Sequence, residues 1–169
     1  MNKPVITDVV FKEVEPEQLR DLAAMHLEIW QQAYRHIFTL EELGKLKIKA
    51  FEDAWRLRTA DGGRQVRWII LGEKEVGFLS FVQNAGDTEI THFYILPAYW
   101  GSGTAEAAFK QLLLLLLSGG IRKIELWVLN ENHRAKNFYA DWNFKLNGNK
   151  RSRVEQGLQL EEFQMEFAV

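Results

Sequence analysis

Residues 94–105 read Tyr-Ile-Leu-Pro-Ala-Tyr-Trp-Gly-Ser-Gly-Thr-Ala, and the reading of this joint decides the fold. A strand pattern from about Thr88 to Leu96 stops at Pro97, which has no amide to give to a sheet ladder. Gly101-Ser102-Gly103 then turns the chain into a helix rich in Ala and Leu, which runs to about Leu117. Small residues at such a turn let the backbone come close to a ligand. The first amides of the helix lack intrahelical partners and carry partial positive charge, which suits a phosphate. A plain strand-to-helix turn would use the same residues. The joint is too short for a dinucleotide fingerprint, and the Gly-Lys-Ser/Thr of a P-loop is missing.

Upstream, residues 5–13 are rich in Val, Ile and Phe and read as a strand. Pro16 opens a helix in which Leu19, Leu22, Ala23, His26, Leu27 and Trp30 recur at helical spacing. Thr39-Leu40-Glu41-Glu42 has the form of a capping box. It predicts a second helix carrying Leu40, Leu43, Leu46, Phe51 and Trp55, broken at Asp61-Gly62-Gly63. Residues 65–71 and 75–82 read as a hairpin. Downstream of the joint come a strand over 121–129, a short helix over 131–141, and strands near 144–153 and 158–168. In the last strand, Leu158 and Leu160 differ in parity from Phe163, Met165 and Phe167, which predicts a bulge near Glu161-Glu162. The order β α α β β β α β α β β has few βαβ units. It points to an α+β chain in three layers, with a mixed central sheet of about seven strands flanked by about four helices.

Bulk properties narrow the function. The 169 residues fit one domain over 1–169. With 47% apolar residues and six tryptophans, the chain can build a substantial core. Lys and Arg number 21 against 23 Asp and Glu, so the basic excess of a nucleic-acid binder is missing. There is no cysteine, hence no thiol nucleophile, disulfide or zinc-thiolate site. The four histidines have no metal-ligand spacing. Leu112–Leu117 is far shorter than the roughly 20 apolar residues of a membrane span and reads as a buried helix. The N-terminus lacks the apolar stretch of a signal peptide. The expectation is a soluble, cytoplasmic protein with no metal, no nucleic acid and no membrane among its partners.

Two motifs carry a resemblance. Trp100-Gly101-Ser102-Gly103-Thr104-Ala105 matches the small positions of an Arg/Gln-x-x-Gly-x-Gly/Ala turn, with Trp100 in place of the usual Arg or Gln. Asn132-His133-Arg134-Ala135-Lys136-Asn137-Phe138-Tyr139 through Phe144 matches a later Asn-x-x-Ala-x-x-Phe-Tyr motif, with Asn143 in place of Gly. In this order, and each after a predicted strand, they resemble the GCN5-related N-acetyltransferase (GNAT) family. That resemblance implies an acyl-CoA N-acyltransferase fold and acetyl-CoA as co-substrate. It implies backbone contacts to the pyrophosphate from Gly101, Ser102, Gly103, Thr104 and Ala105. The cofactor's pantetheine arm would pair with backbone near Phe93, Tyr94 and Ile95, where an amide would polarise the thioester. It would be flanked by Asn132, Ala135 and Lys136.

From the residues alone, Asn132, Ala135, Lys136 and Tyr139 share a helical face, with Asn132 and Tyr139 about 10 Å apart along the axis. The resemblance makes Tyr139 the proton donor to the leaving thiolate; the plain alternative is a ring packed on the sheet. Glu89 falls where some family members carry a catalytic base, sharing a strand face with Thr91 and Phe93. It could equally be a solvated strand-edge carboxylate. His92 is a second candidate base. Trp30, Tyr34 and Phe38 recur every four residues and either line the acceptor site or belong to the core. Arg134, Lys136 and Lys123 could neutralise cofactor phosphates. The expected activity is direct acetyl transfer to a primary amine of a small molecule, polyamine or peptide, without an acyl-enzyme. The alternative is an inactive acyl-CoA-binding sensor or scaffold. Pairing of the last strands between subunits would give a homodimer.

Overall fold

The computed structural model describes residues 8–168. One seven-stranded sheet of order β1-β2-β3-β4-β5-β7-β6 organises the chain. β1 (Val9–Glu13), β2 (Arg64–Leu71), β3 (Lys74–Asn84) and β4 (Asp87–Ile95) form an antiparallel run. β5 (Lys123–Leu129) joins β4 in parallel, and β7 (Leu158–Ala168) and β6 (Lys145–Glu155) follow antiparallel. Residues 5–7 of the expected first strand lie outside the described residues.

Two cores form, one on each face of the sheet. α4 (Thr104–Ser118) and α5 (His133–Asp141) cover one face around Phe109, Leu112, Leu116, Ile124 and Phe144. α1 (Leu19–Ala33), α2 (Leu40–Gly44) and α3 (Ile48–Thr59) cover the other around Leu22, Trp30, Phe51, Trp55 and Phe78. The leucine run of α4 is buried on one side only: Leu112, Leu113 and Leu116 are inside, while Leu114 and Leu115 are exposed.

Two expectations need correction. The single helix expected from residue 39 is two, which brings the helices flanking the sheet to five among the described residues. The Thr39 capping box forms as read, with Thr39 Oγ1 accepting from the Glu42 amide and Glu42 Oε2 accepting from the Thr39 amide. The chain then leaves α2 after Gly44 and becomes extended at Lys47, which lets both Leu43 and Leu46 reach the core. The bulge expected near Glu161-Glu162 is also absent, since β7 runs in unbroken register against β5 from Glu162 to Ala168. Its parity change arises because the two ends bury opposite faces: Leu158 and Leu160 enter the α1–α3 core, and Met165 enters the α4–α5 core. The irregularity lies in β6, where the register jumps between Leu146 and Lys150.

Candidate active site

β4 and β5 pair only from Asp87–Lys123 to Ile90–Leu126. Beyond Ile90 the two strands part, and the β4 backbone from Thr91 to Ile95 has no partner strand on that side among the described residues. The parting begins at a bulge. Ser80 opposes His92 and Phe81 opposes Ile90, which leaves Thr91 as an extra residue in β4. Such a bulge re-aims the side chains that follow it. Ile90, Phe93 and Ile95 all reach the α4–α5 core, while Tyr94 packs into the other. Glu89 therefore does not share a face with Phe93 as strict alternation required, because Thr91 resets the period.

The cleft so made has two mouths. On the α4–α5 side, a groove of about 290 Å³ is lined by Phe93, Ile95, Trp100, Ala105, Asn132, Arg134, Ala135, Phe138 and Tyr139, among others. Across the sheet lies a cavity of about 320 Å³ with Trp30, Tyr34, Glu89, His92, Tyr94 and several arginines in its wall. Phe93, Asn132, Ala135 and Tyr139 border both spaces. Trp100 and Ala105, at the two ends of the glycine joint, thus line one groove with the α5 motif, while Gly101 to Thr104 do not border it.

The joint builds the start of α4. Gly101 and Gly103 take φ of 71° and 94°, a left-handed region that penalises any Cβ. Ser102 Oγ donates to the Tyr99 carbonyl at 2.6 Å, lies 2.8 Å from Thr104 Oγ1, and accepts weakly from the Thr104 amide at 3.3 Å. Trp100 Nε1 donates to the Ile95 carbonyl at 2.7 Å, tying the turn to the end of β4. The Arg134 guanidinium sits 4.4 Å over the Trp100 ring. A cation thus stands at position 100 after all, supplied by α5 through a cation–π contact.

On α5, Asn132 is the N-cap, its Oδ1 accepting from the Ala135 amide at 3.1 Å. Lys136 turns away from the groove: its Nζ donates to the Asn130 carbonyl at 2.6 Å and lies 4.9 Å from the Phe163 ring centroid. The helix ends at Asp141 with Trp142 as its C-cap, and Asn143 just beyond has φ of 65°, so Asn fills the left-handed position normally taken by Gly.

The Tyr139 ring packs against Phe109, Phe138 and Phe144. Its hydroxyl makes no hydrogen bond to a described residue. Burial first, and Tyr94 second, raise its pKa well above the ordinary phenol range. Across the cleft, Tyr94 accepts from Trp30 Nε1 at 3.3 Å and shares a 2.8 Å hydrogen bond with Tyr34. Trp30 and Tyr34 are thus both core and cavity wall, while Phe38 packs against the core without reaching the cavity. Burial is also the main cause holding His92 well below its usual pKa, with His26, Arg58, Arg64 and Arg153 adding to it. His92 is therefore neutral at pH 7. His26 behind it is fully buried and accepts from Trp55 Nε1 at 3.1 Å.

Spacing arguments missed the arginines of the cavity wall. Arg58 comes from α3, Arg64 from β2, and Arg151 and Arg153 from β6. Only the alternation of Arg151, Arg153 and Glu155 along one strand hinted at them. No cluster of three or more metal-ligating side chains occurs among the described residues, and none of the described helices is long and apolar enough to cross a membrane.

A mixed sheet with a splayed β4–β5 pair, a glycine turn opening α4 and an Asn–Tyr helix beside it define an acyltransferase-type scaffold. The profile of the Acetyltransferase (GNAT) family matches residues 23–144, and the chain belongs to that family. It is 26% identical over 127 residues to the uncharacterized N-acetyltransferase YuaI of Bacillus subtilis, a stretch covering 73% of each chain. Among solved structures, it superposes on the PaiA N-acetyltransferase of Thermoplasma acidophilum in complex with coenzyme A. The TM-score is 0.74 at 18% identity, over 96% of this chain and 99% of that one. The spermidine N-acetyltransferase of Vibrio cholerae, in complex with CoA and spermine, gives 0.70 at 16% identity, over 95% of both chains.

Proposed function

We propose that this protein transfers the acetyl group of acetyl-CoA directly to a primary amine. One observation carries the reading: Tyr139, Asn132 and the unpartnered β4 backbone border both the groove and the cavity across the sheet. A thioester arm in the groove and an amine in the cavity would meet at that shared wall. The amides opening α4, with Arg134 over Trp100, supply positive charge for a pyrophosphate at the groove's outer end.

In the step itself, the neutral amine nitrogen bonds to the thioester carbon while a β4 amide near Phe93–Ile95 stabilises the developing oxyanion. The carbon–sulfur bond then breaks, and the amine releases a proton. Glu89 or His92, both in the cavity wall, would receive that proton. Burial makes His92 a weaker base than an ordinary imidazole, and Glu89 stands beside it in the same wall. The elevated Tyr139 pKa refines its role. A thiol ordinarily titrates near about 8.5 and a phenol near about 10, so complete proton transfer from a still weaker acid to the thiolate is uphill. Tyr139 instead donates a hydrogen bond to sulfur as charge develops, and the amine-derived proton restores the thiol.

Thiol release from acetyl-CoA over a panel of amines tests this. Tyr139→Phe should lower kcat by roughly 10- to 100-fold, the loss of one hydrogen bond to developing charge, with CoA affinity nearly unchanged. Equal rates in both proteins would remove Tyr139 from the reaction.

A further inference from the structure

The acceptor cavity carries a charge pattern that acetyl transfer alone does not require. Arg58, Arg64, Arg151 and Arg153 line it, against three carboxylates, Glu89, Glu155 and Glu162. Two of those carboxylates are already engaged. Arg58 Nη2 donates to Glu155 at 2.5 Å, and Arg153 joins Glu155 to Glu162. Arg151 Nε donates to Glu162 at 2.6 Å.

Two guanidinium groups remain under-used. Arg58 Nη1 is buried with no hydrogen-bond partner among the described residues. Arg64 makes no ion pair among the described residues; its Nη1 donates only to the hydroxyls of Thr91 and Ser80. Thr91 is the bulged residue where β4 leaves β5, so Arg64 stands at the mouth of the cleft. A guanidinium cannot shed its proton to escape this situation, and a buried donor without a partner is costly. The planar fork of arginine matches a carboxylate, by two parallel hydrogen bonds where geometry allows. At His92 the same arginines, Arg58, Arg64 and Arg153, act against a proton on the ring.

We infer that the acceptor is a small primary amine that also bears a carboxylate, bound through Arg64, with the Arg58 charge behind it and its amine turned toward the wall that holds Tyr139. This rests on the acetyl-transfer reading above and names its substrate class. A cavity of about 320 Å³ suits a molecule of amino-acid size. The same arginines repel a polycation, which sets this site apart in chemistry from one that takes a polyamine.

Matched pairs decide the matter. Thiol release from acetyl-CoA is measured with amino acids and with the amines left by their decarboxylation, such as methionine beside 3-(methylthio)propylamine, and with spermidine. For at least one pair, the carboxylate-bearing member should be turned over with a kcat/KM at least ~10-fold higher. Arg64→Gln should move that ratio toward one by raising KM for the acid. Faster turnover of the decarboxylated amines or of spermidine would overturn the inference and leave acetyl transfer standing. Silence with every amine would overturn both. The wild-type ratios decide the question even if Arg64→Gln fails to fold.

Discussion

At the scale of single residues, the cleft depends on a position that touches no substrate. Gly77 in β3 opposes Ile95 across the ladder. A Cβ there would lie 2.2 Å from the Tyr94 carbonyl oxygen and 3.1 Å from the Ile95 Cα. No side chain fits without displacing the end of β4, the backbone assigned above to the thioester arm. Gly77→Ala should therefore cost about 1–3 kcal/mol of stability and weaken CoA binding in the folded fraction. Denaturant unfolding and calorimetric titration with CoA would measure the two effects. Unchanged CoA affinity would show that the end of β4 can shift without harm to the groove. Asn143 makes the opposite point: a departure from the family pattern costs little where Asn can adopt the required backbone, here φ of 65°.

At the scale of elements, the β6–β7 edge closes the cavity with a ladder of charge. Glu162 is only 6% exposed and accepts from Arg151 Nε at 2.6 Å, Arg153 Nε at 2.9 Å and Arg153 Nη2 at 3.1 Å. Its removal strands the partly buried Arg151 and leaves Arg153 only Glu155 as a partner. The arginines stay about a third exposed, so water offsets part of the loss. Glu162→Gln should destabilise the protein by about 2 kcal/mol, less than the roughly 3–5 kcal/mol of a fully buried pair. That corresponds to a fall in Tm of roughly 4–8 °C, and an unshifted melt would mean the ladder holds nothing. The elements themselves were legible in the sequence where local chemistry decides them. Pro97, Gly101 and Gly103 marked the strand-to-helix joint, and the Thr39 capping box marked the start of α2. What stayed hidden depended on contacts distant in sequence. The Thr91 bulge is visible only against β3, the cause of the β7 parity change only against two separate cores, and the arginine wall only once α3, β2 and β6 converge.

At the scale of the whole molecule, two buried histidines couple the fold to pH. His26 and His92 sit with ring centroids 5.2 Å apart, among the aromatic residues that pack α1 and α3 onto the sheet. Burial lowers the His26 pKa to about 3 and holds His92 well below its usual value. In the unfolded chain both would titrate near about 6.5. Below that pH the unfolded state takes up protons that the folded state refuses, so stability is full above about 6.5 and falls as the solution is acidified. His26 alone should cost about 2 kcal/mol between pH 7.5 and pH 5, and His92 acts in the same direction, against the roughly 5–15 kcal/mol that holds a domain together. The carboxylates with lowered pKa values, Glu155 among them, lose their contribution only at more acid pH and leave this window clear. Denaturant unfolding at the two pH values would read the effect directly. His26→Gln should remove about 2 kcal/mol of the pH dependence, whatever its own effect on stability at pH 7.5. A wild-type stability that did not change across that range would mean that water or local opening reaches the histidines, and the tight packing of α1 and α3 on β4 would have to be given up.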